Sequence, residues 1–216
     1  MKDENKSKMN LPNKLSLLRL CLVPVILAVG MLMPEYSTDG PSLTFYIMSI
    51  ACAVLFIGAS ITDMLDGKIA RRDGLVTDFG KFIDPIADKF MVIGALFVVL
   101  IKFKNIEILM LATLITVVFR ELAITSIRLV ASNASNVVLA ANMLGKIKTV
   151  TQMACILLVL LEPAMQYFIE SALGGAENYS LHNVFPLSIV TTVLMTVFTL
   201  WSGIAYLYQY RRFLKG

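Results

Sequence analysis

Six of the chain's eight aspartates fall within the 26 residues from Asp63 to Asp88. Four of them form two pairs: Asp63 and Asp66 are three residues apart, Asp84 and Asp88 four apart. On a helix either spacing puts both carboxylates on one face, roughly 5–6 Å apart at Cβ. The short polar turn Arg72-Asp73-Gly74 between them would make the two helices antiparallel neighbours. Four converging carboxylates repel one another unless cations sit among them, and hard oxygen ligands suit Mg²⁺, Mn²⁺ or Ca²⁺ rather than zinc. Two cations held in this way can grip a diphosphate, neutralise charge at phosphorus and stabilise a leaving phosphate. A hydroxyl nucleophile attacking there would also need a proton acceptor.

Other residue types extend this chemistry. Gly67 follows Asp66, and Gly80 lies one turn before Asp84. Glycine weakens a helix, so its use beside acidic pairs points to close approach, either of a ligand or of a neighbouring helix. Arg71 lies eight residues after Asp63, near the same helical face, where a planar guanidinium would match phosphate oxygens; the alternative is an arginine snorkelling to the surface. Asn13, Ser16 and Arg19 recur every three residues, a polar stripe on an otherwise apolar helix or simply its interfacial end. Arg120 and Arg128 lie two turns apart inside an apolar run, and guanidinium groups at such depth need an anion. Glu121 adjoins Arg120 but points elsewhere on a helix, so it is not an obvious partner. With Lys146 and Lys148 these arginines would form a pocket for a phosphorylated alcohol. The two lysines cannot share one face of a regular helix, so at least one is expected to turn toward lipid headgroups.

The elements that must position these groups are apolar. Hydrophobic residues make up 57% of the 216 and charged residues only 16%, and mean hydropathy is +0.77. That composition excludes an ordinary soluble domain and points to a polytopic membrane protein. The net charge of +4 is too small for a nucleic-acid footprint. Cys21, Cys52 and Cys155 stand singly in apolar runs, without metal-ligand spacing, and are expected to be free, buried thiols.

Residues 1–11 are expected to form a polar cytoplasmic N-terminal segment and residues 12–216 a single all-α domain of six transmembrane helices. The spans are expected at about Leu15–Met33, kinked at Pro24, and at Leu43–Ser60, continuing to Ala70. The others are expected at Phe79–Ile101, Ile106–Val130, Ala140–Ile169 and Val184–Tyr208. Polar breaks are expected at 34–41, 132–136 and 174–180. Basic residues gather on the side of the termini, the 68–81 turn and the 131–148 region. The opposite side carries Lys102, Lys104 and acidic residues that include Glu35 and Glu162. Both termini and the aspartates are therefore expected at the cytoplasmic face.

The spacing of Asp63, Asp66, Gly67, Ala70, Arg71, Gly80, Asp84 and Asp88 resembles the signature of the CDP-alcohol phosphotransferases, integral membrane enzymes of phospholipid synthesis. The resemblance implies their fold and metal binding at Asp63, Asp66, Asp84 and Asp88, by Mg²⁺ or Mn²⁺, in all two ions. It gives Asp88 the role of base as well. It also implies a CDP-lipid site near Asn13, Ser16, Gly67, Arg71, Thr77 and Gly80, a homodimer, and a bacterial plasma membrane. The segments around Asn13, Thr77, Arg120, Arg128 and Lys146 are similar to those of the family branch that joins CDP-diacylglycerol to glycerol 3-phosphate. Arg120, Arg128, Lys146 and Lys148 would then hold the acceptor phosphate. Ser16 departs from the family pattern, where threonine is frequent. Inositol phosphate or serine as acceptor is the alternative within the family. Outside it, a cation or proton transporter also carries intramembrane carboxylates, but would need acidic sites near the midplane and a route to both sides.

Overall fold

The computed structural model describes residues 11–36, 41–72, 78–135, 143–172 and 185–211. Among these residues the chain is helical throughout, with no strand. The helices are α1 (Leu11–Leu32), α2 (Leu43–Arg72), α3 (Asp78–Lys102), α4 (Glu107–Ser135), α5 (Met143–Ala172) and α6 (Pro186–Tyr210), with a 3-10 turn at Lys104–Ile106. The break at Pro34 falls where sequence places it, and the one expected at 174–180 lies outside the described residues. The break expected at 132–136 does not fall there, because α4 continues to Ser135. The helix α2 does run on through the first aspartate pair, as its unbroken apolar and small-residue pattern requires.

Among the described residues five helices are long and apolar enough to cross a membrane: α1, α2, α5, α6 and the α4 stretch with its preceding turn. The helix α3 is not among them, so the expected count of six is met only in part. Asp84, Asp88 and Lys89 charge its first half, and the apolar register begins after them. Val92, Ala95, Leu96 and Val99 are buried at helical spacing. The exterior is apolar, with Leu32, Ile108 and Phe119 all more than two-thirds exposed. A surface of this kind belongs in hydrocarbon.

The interior uses small and hydroxyl side chains as much as large ones. The helix α6 buries Ser188, Thr192, Met195, Thr199 and Ser202 while exposing Leu200, Trp201 and Ile204. Hydroxyls then join helices directly. Ser49 donates to the Leu160 carbonyl at 2.5 Å, and Thr113 pairs with Thr196 at 2.8 Å. In a medium without water such bonds have no solvent competitor. Cys52 and Cys155 are free and buried, as expected; Cys21 is free but faces outward, because its position falls on the lipid-facing side of α1.

One end of the bundle is closed by aromatics. Tyr36, Phe45, Phe103 and Phe185 meet edge to face, and the Tyr36 N–H donates to the Lys102 carbonyl. Asp63 lies eighteen helical residues beyond Phe45, about 27 Å away. The aspartates thus sit at the opposite end from this plug. The helix α1 packs against both α2 and α3, whereas α2 and α3 touch each other only briefly. The expected antiparallel neighbours are therefore largely held apart, with α1 supplying the shared surface. A Cβ at Gly30 would stand 2.5 Å from both Val98 methyls, so the α1–α3 crossing needs glycine there. Gly30→Ala is expected to destabilise the protein by about 1–3 kcal/mol, read as a lower unfolding temperature in detergent.

Candidate active site

The polar stripe of α1 faces inward. Asn13, Ser16 and Arg19 are all buried, and Arg19 is wholly so. Their three-residue spacing keeps them on the side that meets α2 and α3. Arg19 Nη1 lies 2.6 Å from Asp63 Oδ1. A buried guanidinium thus fixes the first aspartate of the motif, whose own side chain remains 36% exposed. The stripe therefore faces the bundle interior, whereas an interfacial helix end would have left its arginine at the membrane surface.

The described carboxylates gather around α1. Asp63 and Asp88 lie close enough to act on each other electrostatically, and Arg19, Lys148 and Glu121 are within the same range of Asp88. Asp84 stands one turn before Asp88 on α3, and its Oδ1 is buried with no hydrogen-bond partner among the described residues. An acceptor oxygen left dry and unpaired is costly and suits a cation ligand. The donor set here is carboxylate oxygen, which fits a hard divalent ion. Among the described residues, no three potential ligands lie as close as in a formed metal site. The expected fourth carboxylate, Asp66, has its backbone in α2, but its side chain lies outside the described residues, as do those of Gly67 and Arg71. Thr77 lies outside them altogether, and Gly80 is buried in the first turn of α3.

The cation cluster is organised differently from its sequence reading. Glu121 Oε1 accepts from Arg120 Nη1 at 2.8 Å and from Lys148 Nζ at 2.5 Å. Glu121 therefore does neutralise Arg120, contrary to expectation. Helical neighbours diverge at Cβ, but the long arginine side chain swings back across the gap. Arg120 Nη2 donates to Ser202 Oγ on α6 at 2.7 Å. Gly203 leaves room for this, since a Cβ there would press on Arg120 Cγ at 3.3 Å. The two lysines separate as their spacing demands: Lys148 is buried and Lys146 exposed. Arg128 is in α4, with its side chain outside the described residues.

A small cavity joins the two clusters. Asp88 and Lys89 line it from α3, Glu121 from α4, and Lys148 and Gln152 from α5. Lys89 donates to Thr125 Oγ1 at 2.5 Å, which ties α3 to α4 beside it. Sequence reasoning gave no role to Glu121 or Gln152. The i,i+4 spacing of Lys148 and Gln152 was the one available signal, and it shows meaning only when α3 and α4 are known to face it. Glu162 lies in α5, within the expected fifth span, and is only 2% exposed. It accepts from the Leu187 and Ser188 backbone N–H groups, at 2.9 and 2.7 Å, and from the Ser188 hydroxyl, so capping the start of α6.

Known proteins are similar to this chain over most of its length. A protein of Bacillus subtilis (strain 168) named CDP-diacylglycerol–glycerol-3-phosphate 3-phosphatidyltransferase is 43% identical over 156 residues, covering 70% of this chain and 77% of its own. Proteins of the same name from Yersinia pestis (strain Pestoides F) and Sodalis glossinidius (strain morsitans) are each 31% identical, over 93% and 94% of this chain and 94% and 96% of their own. The family model described as CDP-alcohol phosphatidyltransferase matches residues 9–205, from the start of α1 to near the end of α6. A match of that extent, running through both aspartate pairs, means that the chain belongs to the CDP-alcohol phosphatidyltransferase family.

Proposed function

We propose that this protein transfers a phosphatidyl group from CDP-diacylglycerol to sn-glycerol 3-phosphate, releasing CMP and phosphatidylglycerophosphate. One observation carries the reading beyond the relatives' names: Asp88 of the aspartate motif and Lys148 of the cation cluster line one cavity. A base for the attacking hydroxyl and a cation for the acceptor's phosphate are thereby within reach of one small molecule.

In this reading Asp63, Asp66, Asp84 and Asp88 hold Mg²⁺ or Mn²⁺, in all two ions. When bound, such ions neutralise the diphosphate and stabilise the phosphate of the departing CMP. Arg19 keeps Asp63 in place through their ion pair. Asn13, Ser16, Gly67, Arg71, Thr77 and Gly80 accommodate the nucleotide end of the lipid. Arg120, Arg128 and Lys148 attract the acceptor phosphate, which competes with Glu121 for the cations that Glu121 now holds. Lys146, exposed on the same helix, faces headgroups or the entering acceptor. Asp88 takes the proton of the C1 hydroxyl as its oxygen bonds to the lipid-side phosphorus. The bond from that phosphorus to the bridging diphosphate oxygen breaks, and CMP leaves.

The helix α3 is the sixth span in this reading. At 25 residues it reaches about 37 Å, enough to cross with its acidic half in the interfacial region. Both termini then lie in the cytoplasm, on the side richer in lysine and arginine. The membrane is the bacterial plasma membrane, where the acceptor is supplied from the cytoplasm. A homodimer belongs to the same proposal on the family's account.

The test is direct. Purified protein in detergent is given CDP-diacylglycerol, Mg²⁺ or Mn²⁺, and labelled glycerol 3-phosphate, inositol phosphate or serine in parallel. Label is expected to enter lipid from glycerol 3-phosphate, with CMP released in equal amount. Lipid labelled only from another alcohol would replace the acceptor assignment, and no CMP release with any of them would end the transferase reading.

A further inference from the structure

Gln152 stands out in the cavity between the two clusters. It is 2% exposed, and its Nε2 has no hydrogen-bond partner among the described residues. A buried amide N–H left unpaired is destabilising and suits a ligand that would accept from it. The group shares the cavity with Asp88, Glu121 and Lys148. Lys148 already donates to Glu121, and Lys89 to Thr125. Gln152 is thus the neutral donor in that cavity left over for a ligand.

We infer that Gln152 reads the acceptor's C2 hydroxyl, donating from Nε2 to that oxygen, and so sets the preference for a polyol phosphate. The inference rests on the proposed transfer and goes one residue deeper into it. Gln152 follows Lys148 by one helical turn on α5, about 6 Å along the axis. A glycerol phosphate gripped at its phosphate by Lys148 and at C1 by Asp88 must present its middle carbon between them. A donor on the C1 oxygen would withdraw electron density from the nucleophile and oppose Asp88. A donor on the C2 oxygen carries no such penalty and orients the chain. An uncharged amide also tells a hydroxyl from a methylene, which the surrounding cations cannot do.

The experiment compares glycerol 3-phosphate with 3-hydroxypropyl phosphate, which lacks only the C2 hydroxyl, in the detergent assay above. The wild type is expected to favour glycerol 3-phosphate by roughly 10- to 100-fold in kcat/KM. Gln152→Met, close in shape but without donors, is expected to bring that ratio within about threefold of unity by losing glycerol 3-phosphate efficiency. Its KM for CDP-diacylglycerol is expected to stay within about threefold of wild type. A ratio of two acceptors on one preparation does not depend on how much of the protein is active. If Gln152→Met does not run as a folded species on size exclusion, Gln152→Leu takes its place and the same ratio is read. A wild-type ratio retained in the variant overturns the inference. So does a wild type that ignores the C2 hydroxyl, a raised KM for the CDP-lipid alone, or a folded variant dead to both acceptors. Wild-type protein that uses only serine or inositol phosphate sinks the proposed function itself, and this inference with it.

Discussion

Asp88→Asn is expected to lower turnover with glycerol 3-phosphate roughly 10²- to 10⁴-fold, the range a positioned general base contributes. Asparagine keeps the shape of the side chain but cannot take a proton from a hydroxyl. Asp88 lies on α3 within electrostatic range of Asp63 and Arg19 and lines one cavity with Lys148 and Glu121. A charge removed there is felt by the reaction more than by the fold, because most of the buried apolar register of α3, from Met91 to Val99, lies beyond it. Because Asp88 is also proposed as a metal ligand, the KM for CDP-diacylglycerol is expected to rise at fixed Mg²⁺, while the KM for glycerol 3-phosphate is expected to change by less than about fivefold. Steady-state kinetics with each substrate varied in turn would check this. Turnover within a few-fold of wild type would remove Asp88 from the role of base.

The second large effect is on stability. Glu162→Ala is expected to cost about 2–4 kcal/mol, since it strips the acceptor from two backbone N–H groups and one hydroxyl at the start of α6. Ser188 is wholly buried, so water does not replace the lost carboxylate there. Glu162→Gln keeps one acceptor oxygen but gives up the charge that the helix N-terminus favours, and is expected to cost about half as much. Unfolding in detergent by heat or denaturant would order the three proteins as wild type, Gln and Ala. An alanine variant as stable as the wild type would show that the cap is ornamental.

What could be read from sequence, and what could not, follows from the range of each interaction. Helix bounds were legible because prolines, glycines and polar runs interrupt long apolar stretches, and α2 could be followed past its span because nothing interrupts it before Arg72. The aspartate motif was legible because its spacing is local. The partner of Asp63 was not: Arg19 comes from another helix, and α1 lying between α2 and α3 is a fact of packing alone. Glu121 was misjudged for a related reason. Cβ directions exclude an Arg120–Glu121 contact, yet the contact forms at the tips of two long side chains. Lys148 comes from 27 residues further on to complete it. The break foreseen at Ser132 failed because small polar residues weaken a helix without ending it, and α4 carries them to Ser135. On α6, hydropathy alone marked a span. It could not show that the serines and threonines form its inner face and the large apolar residues its outer one.

The crossing of α1 over α3 at Gly30 has a mechanical meaning. Arg19 is eleven residues away along the same helix, about 16 Å. A helix seated at Gly30 against Val98 acts as a lever even with Pro24 along its arm, and a tilt of about 5° at that fulcrum moves its far end by more than 1 Å, enough in an active site to cost about a hundredfold in rate. A methyl group added near the aromatic end of the bundle is thus transmitted to the Arg19–Asp63 pair at the other, and the rate of transfer becomes a gauge of how tightly two distant helices are pressed together.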